Sequence, residues 1–141
     1  MDFLKFLSQV KTNEGLRLKP YKDAKGFWTI GYGCNLETSF TKEMAQCILE
    51  LKAHAIYVEI LRRFSWFPDL DDVRQRAIMD MAFNMGVDGV AGFKKMIAAI
   101  KAKNFTTAGK EVLNSDYAND VGDRAHRVAR MISLGVDNGD A

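Results

Sequence analysis

Apolar residues return at Phe3, Phe6, Leu7 and Val10, the interval of one helical face, so a short amphipathic helix runs from the start of the chain toward Glu14. The pattern then changes. "LRLKPYKD" and "GFWTIGYG" are rich in β-branched and aromatic residues and predict two strands, with "DAKG" between them as a type I turn opened by Asp23 and closed by Gly26. On the second strand Trp28, Ile30 and Tyr32 share one face and Phe27, Thr29 and Gly31 the other. The first set reads as the core face, which turns Thr29 toward solvent or a cleft.

From Thr41 the pattern is helical almost to the end. Thr41 is the expected N-cap of a long helix with Glu43 in its first turn and a stripe of Met44, Ile48, Leu51, Ala55, Val58 and Leu61. Pro68 interrupts, and Asp71 or Asp72 caps a helix that turns Val73, Ala77, Ile78, Met81 and Met85 inward. "MGVDGVAGF" reads as a glycine-punctuated corner. Further helices follow at Phe93–Ile100, at Ala108–Leu113, and in "DRAHRVARMI", with Asp123 as its cap. The fold class is therefore α+β, mainly α. A small β-hairpin lobe, about residues 13–40, is joined by a connecting helix, about 41–62, to a helical lobe made of about 1–12 and 63–141. Together they form a single domain of 141 residues, and the seam between two lobes is the usual home of a substrate cleft.

Charge and cysteine content narrow the function. A net charge of +2 sets up no strong field, and the basic face from Arg124 to Arg130 reads as solvated, so nucleic-acid binding is the last-ranked reading. Cys34 and Cys47 lack the paired spacing of a zinc site and read as two reduced thiols. His54 and His126 have no second ligand at metal spacing, so no metal or other cofactor is expected. The N-terminus has no basic start and no long apolar run, which is not the pattern of a signal peptide, and no segment suits membrane insertion.

Glu14 at a helix end and Asp23 at a hairpin turn could hold two carboxyl groups at fixed separation, the arrangement glycoside hydrolysis uses. Spacing alone also fits an ordinary helix end and an ordinary turn, and Thr29 fits an ordinary strand residue.

Read together, the segments are more specific. "NEGLRLKPYKDAKGFWTIGYG" resembles the catalytic segment of the T-even phage lysozyme family, glycoside hydrolase family 24. "DDVRQRAIMDMAFNMGVDGVAGF" and "SDYANDVGDRAHRV" resemble that family's central helix with its corner and its last helices, in order over nearly the whole chain. The resemblance implies a lysozyme-like two-lobe fold and an endolysin that cuts the β-1,4 bond between N-acetylmuramic acid and N-acetylglucosamine. Glu14 would be the general acid, Asp23 would help activate the attacking water, and Thr29 would position that water. The family's usual outcome is inversion, for which the carboxyl groups stand roughly 6.5–9.5 Å apart.

Arg124 matches the arginine that pairs with the catalytic glutamate across the cleft in related enzymes, Phe83 and Asn84 match an aromatic–polar pair near the cleft floor, and Tyr117 stands where a tryptophan is known. Cys34 replaces a histidine, and the passage from "GCNLETS" straight into the Thr41 helix shortens the small lobe. The implied partner is the peptidoglycan glycan strand, met by a monomer made in the host cytoplasm and released through a pore formed by a separate holin. A non-catalytic peptidoglycan-binding module of the same fold is the alternative, and an intact Glu14, Asp23 and Thr29 set weighs against it.

Overall fold

Asp2 is extended and its carboxylate accepts the Lys5 N–H at 3.0 Å, which opens α1 (Phe3–Glu14) in this computed structural model, where residues 1–138 are described. Gly15 ends the helix. Its φ of 70° lies where a side chain is disfavoured, and its N–H closes on the Lys11 carbonyl at 3.0 Å. The chain passes at once into β1 (Arg17–Lys22), β2 (Trp28–Gly31) and β3 (Cys34–Asn35), an antiparallel sheet in the order β1-β2-β3. At two residues, β3 is too short to leave an alternating signature in the sequence. Pro20 lies on the edge strand β1, within the stretch where its register with β2 shifts, one of the places a sheet tolerates proline.

The expected core face of β2 is not buried: Thr29 is the strand's one buried residue, Ile30 and Gly31 are half-buried, and Trp28 is exposed. Thr29 is only 3% exposed, whereas Trp28 and Tyr32 are 47% and 41% exposed. Two local compensations explain the difference. The Thr29 hydroxyl donates to the Phe27 carbonyl at 3.0 Å, so its polar group is satisfied where it is buried. The exposed rings are covered by cations instead, with Lys22 Nζ 5.3 Å from the Trp28 ring centre and Lys11 Nζ 5.6 Å from that of Tyr32.

Thr41 caps α2 (Lys42–Arg63) as expected, its Oγ1 accepting the Met44 N–H at 3.2 Å. The stripe expected on α2 is not its buried face. Ile48, Leu51 and Val58 are exposed, while Ile60 is buried and Ile56 packs against the core. Apolar side chains lie all round this helix, so periodicity cannot choose a face.

The chain divides into two compact units, Met1–Leu49 and Glu50–Ala141, with the division inside α2. Helix α1 groups with the sheet, whereas the sequence reading set residues 1–12 with the later helices; its last residue is only two positions from the start of β1.

In the second unit a 3-10 turn at Phe67–Asp69 follows Trp66, and Asp71 caps α3 (Asp72–Ala91) by accepting the Arg74 N–H at 3.1 Å. Gly86 breaks α3 with φ 80° and ψ 164°, so the glycine-punctuated corner is a kink with helix on both sides. There follow α4 (Lys94–Lys101), α5 (Phe105–Leu113, capped by Asn104), α6 (Asp116–Val121, capped by Ser115) and α7 (Asp123–Leu134). The cap position of α7 belongs to Gly122 and not to the expected Asp123, which is the first helical residue, where a carboxylate complements the helix dipole. Ile60, Phe67, Ile78, Met81, Val128 and Ile132 lie at the centre of one apolar core. The architecture is mainly helical α+β, as expected. Among the described residues no helix is long and apolar enough to cross a membrane.

Helices α5 and α7 pack closely at Gly109, where an added methyl group would collide with Ser133 Oγ and stand 2.7 Å from the Ala129 carbonyl oxygen. A backbone oxygen cannot swing aside as a side chain can. Gly109→Ala is therefore expected to lower the unfolding free energy by about 1–3 kcal/mol, read as a shift of the urea midpoint.

Candidate active site

The first unit holds Glu14, Asp23 and Thr29, each fixed by a different local device. Glu14 is the last residue of α1, directly before the Gly15 stop. Its carboxylate lies against Gly33, in the turn after β2: a methyl group there would meet Glu14 Oε2 at 2.5 Å and Cδ at 2.9 Å. Gly33 also has a φ of 73°, so both its backbone conformation and its missing side chain are in use.

Asp23 is tied into the hairpin. Its Oδ1 accepts the N–H groups of Lys25 at 2.9 Å and Phe27 at 3.0 Å, while its own N–H donates to the Phe27 carbonyl at 2.9 Å. Gly26 N–H closes the turn on the Asp23 carbonyl at 2.9 Å, with Gly26 at φ 84°. Aspartate serves here as an Asx turn, and Oδ2 has no protein donor among the described residues. This is a rigid mounting for an acceptor oxygen.

Thr29 is central in the sheet, opposite Tyr21 on β1 and Asn35 on β3. Its single hydroxyl proton goes to the Phe27 carbonyl, so Oγ1 can only accept from anything else. The strands around it are braced by Glu37, whose Oε2 accepts the Trp28 N–H at 2.7 Å, and by Asn35, whose Oδ1 accepts from Glu37 and Thr38.

Phe83, Asn84, Tyr117 and Arg124 belong to the second unit. Phe83 and Asn84 line a depression of about 380 Å³ together with Lys52, Glu59 and Gly86, and Lys52 Nζ stands 4.0 Å from the Phe83 ring centre. Tyr117 meets Phe93 edge-on at 6.3 Å and lines a larger cavity of about 560 Å³ with Lys94, Glu111 and Asp116. Burial pushes the Tyr117 phenol above the ordinary tyrosine range, Asp80 adds to that rise, and Arg124 opposes it.

Arg124 is held by Asp80, with Nε donating to Oδ1 at 2.6 Å and Nη2 to the Asp80 carbonyl at 3.4 Å. The sequence reading passed over Asp80, Gly33 and Lys52. Only Gly33 carried a local signal, the "GYG" that closes the quoted segment. Cys34, on β3, and Cys47, on α2, are free thiols. Among the described residues no group of three or more His, Cys, Asp or Glu could hold a metal ion.

The family model named Phage lysozyme matches residues 11–129, a span that contains all seven of these candidate residues. The chain belongs to the phage lysozyme family. Across species, a Dictyostelium discoideum protein named "Probable T4-type lysozyme 1" is 29% identical, over 92% of this chain and 94% of that protein. The "Pre-baseplate central spike protein Gp5" of Enterobacteria phage T4 is 30% identical over 89% of this chain, which corresponds to 27% of the phage protein. The "Peptidoglycan hydrolase gp36" of Enterobacteria phage SP6 is 28% identical over 82% of this chain and 15% of its own length. This phage lysozyme family member thus matches two of its relatives over only a part of longer proteins, and the Dictyostelium one nearly end to end.

Tyr117 Oη is buried without a hydrogen-bond partner among the described residues, a costly state for a hydroxyl. Tyr117→Phe removes that oxygen and keeps the ring, so the unfolding free energy should stay level or rise by about 1 kcal/mol in urea denaturation. A clear loss of stability would mean that the hydroxyl has a partner.

Proposed function

We propose that this chain is a lysozyme of the N-acetylmuramidase type, which hydrolyses the β-1,4 bond between N-acetylmuramic acid and N-acetylglucosamine in peptidoglycan. The observation that carries the reading is the Asp23 carboxylate, anchored through Oδ1 by two backbone N–H groups while Oδ2 is left as an acceptor.

In this reading Glu14 gives its proton to the glycosidic oxygen as the C1–O bond breaks, and the leaving sugar departs as an alcohol. A water molecule donates one hydrogen to Asp23 Oδ2 and the other to Thr29 Oγ1. Both its hydrogens are then directed away, and a lone pair faces the anomeric carbon. Attack forms the new C1–O bond from the opposite side of the sugar, Asp23 receives the water's proton, and the product is inverted. Thr29 suits this task because its only proton is committed to Phe27, so it cannot compete as a donor for the water's lone pair. Arg124, Phe83, Asn84 and Tyr117 support the site or the bound strand.

The biological setting that follows is a monomer made in the host cytoplasm, released to the wall through a separately made holin pore, and causing lysis. The T4-type lysozyme and peptidoglycan hydrolase names of the relatives support the substrate assignment.

Clearing of outer-membrane-permeabilised Gram-negative cells tests the reading, with circular dichroism to confirm folding. Wild type should clear the cells and release reducing muramic acid ends, and Glu14→Gln, which cannot donate the proton, should lose at least about a thousandfold in rate. Equal clearing by both would overturn the role of Glu14. No clearing by either folded protein would favour the peptidoglycan-binding module.

Gly33→Ala provides a second test. It forces a side chain into a left-handed backbone at a cost of about 1–2 kcal/mol and displaces the Glu14 carboxylate. Activity should fall more than tenfold in a protein that still melts cooperatively, because a misplacement near 1 Å costs about that much or more.

A further inference from the structure

We propose that Asp80 is a positioning residue, which fixes the Arg124 guanidinium so that its remaining edge donates to a carbonyl or carboxylate oxygen of the bound peptidoglycan strand. The inference rests on the reading of Arg124 as a residue of the site, and goes beyond it by naming the group that makes Arg124 competent.

A guanidinium offers five N–H groups in one plane and accepts nothing. Asp80 meets it twice, through Oδ1 on Nε at 2.6 Å and through its own backbone carbonyl on Nη2 at 3.4 Å. Two contacts from one residue fix both the position and the plane of the group. Nη1 has no protein acceptor among the described residues, and the Arg124 side chain is 34% exposed, so the third edge is presented outward.

Both partners stand on well-anchored helices. Asp80 lies on α3 between the buried Ile78 and Met81, and Arg124 lies at the start of α7 beside the buried Ala125. The ion pair also acts electrostatically on the buried Tyr117 phenol, which lines the 560 Å³ cavity. An arginine held this way need not be ordered when the strand arrives, and the consequence is felt in binding rather than in proton transfer.

The test measures steady-state kinetics on solubilised peptidoglycan strands, and sedimentation with insoluble peptidoglycan, for wild type, Asp80→Ala, Asp80→Asn, Arg124→Ala and the Asp80→Ala/Arg124→Ala double variant. Thermal melts accompany each protein. Asp80→Ala should raise KM and the sedimentation Kd about tenfold, the scale of one charge-assisted hydrogen bond, with kcat changed less than about twofold. Asp80→Asn keeps an oxygen for Nε and should recover most of that loss. The double variant should be no worse than Arg124→Ala alone, since Asp80 acts through Arg124.

Unchanged KM and Kd in Asp80→Ala, beside an impaired Arg124→Ala, would overturn the proposal and leave Arg124 in the site. A loss confined to kcat would overturn it as well. An Arg124→Ala protein that binds and cleaves like wild type would remove Arg124 from the site. Absence of cleavage by wild type with intact sedimentation would sink the muramidase reading, while the Kd series would still decide for or against Asp80.

Discussion

The Glu14 carboxylate occupies the volume that a side chain on Gly33 would need, so the hydrogen at position 33 lets the carboxylate rest where it does, between the end of α1 and the turn after β2. Much in the first unit is arranged around that approach. Gly15 stops the helix one residue after the carboxylate and turns the chain into β1. The hairpin then returns through the Asp23 turn, and β2 delivers Gly33 two residues after its own end. Helix, hairpin and turn are each short. Their relative placement depends on backbone contacts and on a few side chains that bond to backbone, as Asp23, Asn35 and Glu37 all do. A small unit with little apolar core has few other means of holding a precise geometry.

The second unit is built the other way, on a large apolar core with polar groups attached to its rim. Arg74 is the clearest of these attachments. Its guanidinium donates to the Ile132 carbonyl at 2.7 Å and the Ser133 carbonyl at 3.2 Å, at the end of α7, and lies 3.8 Å from the Phe105 ring centre. Helix-end carbonyls without intrahelical partners are satisfied in this way, and α7 is held to α3 and α5 at one end. Arg124 and Asp80 join α7 to α3 near its other end. The two arginine contacts therefore hold α7 against α3 near both of its ends. The Arg76–Asp137 pair has better geometry on paper, but both partners are about half exposed, and pairs of that kind add little stability.

What could be read from the sequence follows the range of the interactions involved. The α1 helix, the DAKG turn, the Thr41 and Asp71 caps and the inward face of α3 were legible because each depends on residues within a few positions of one another. The buried side of β2 was not. It depends on Thr29 finding a carbonyl two residues back and on lysines covering Trp28 and Tyr32, and hydropathy counts threonine as polar and tryptophan as core. The face of α2 was lost for a related reason, since apolar residues surround it. Asp80 is 44 positions from its partner Arg124, and a pairing at that range leaves no local pattern. Glu14, Asp23 and Thr29 are proposed as a set only through resemblance to a family.

The burial of Thr29 bears on the chemistry as well as on the fold. An exposed threonine hydroxyl rotates freely and can donate or accept, so it would hold a water in several orientations. Buried and bonded to Phe27, this hydroxyl has one orientation and one remaining capacity, that of an acceptor. Asp23 Oδ2, as a carboxylate oxygen, is likewise an acceptor only. Two acceptors on one water fix both of its hydrogens and leave its lone pairs as the reactive face. The methyl group of threonine fills buried space that serine would leave empty, and valine would fill it without the acceptor. Threonine is the one small β-branched residue that meets the packing and the polarity of this position together, so the burial of Thr29 is what makes the proposed water site specific.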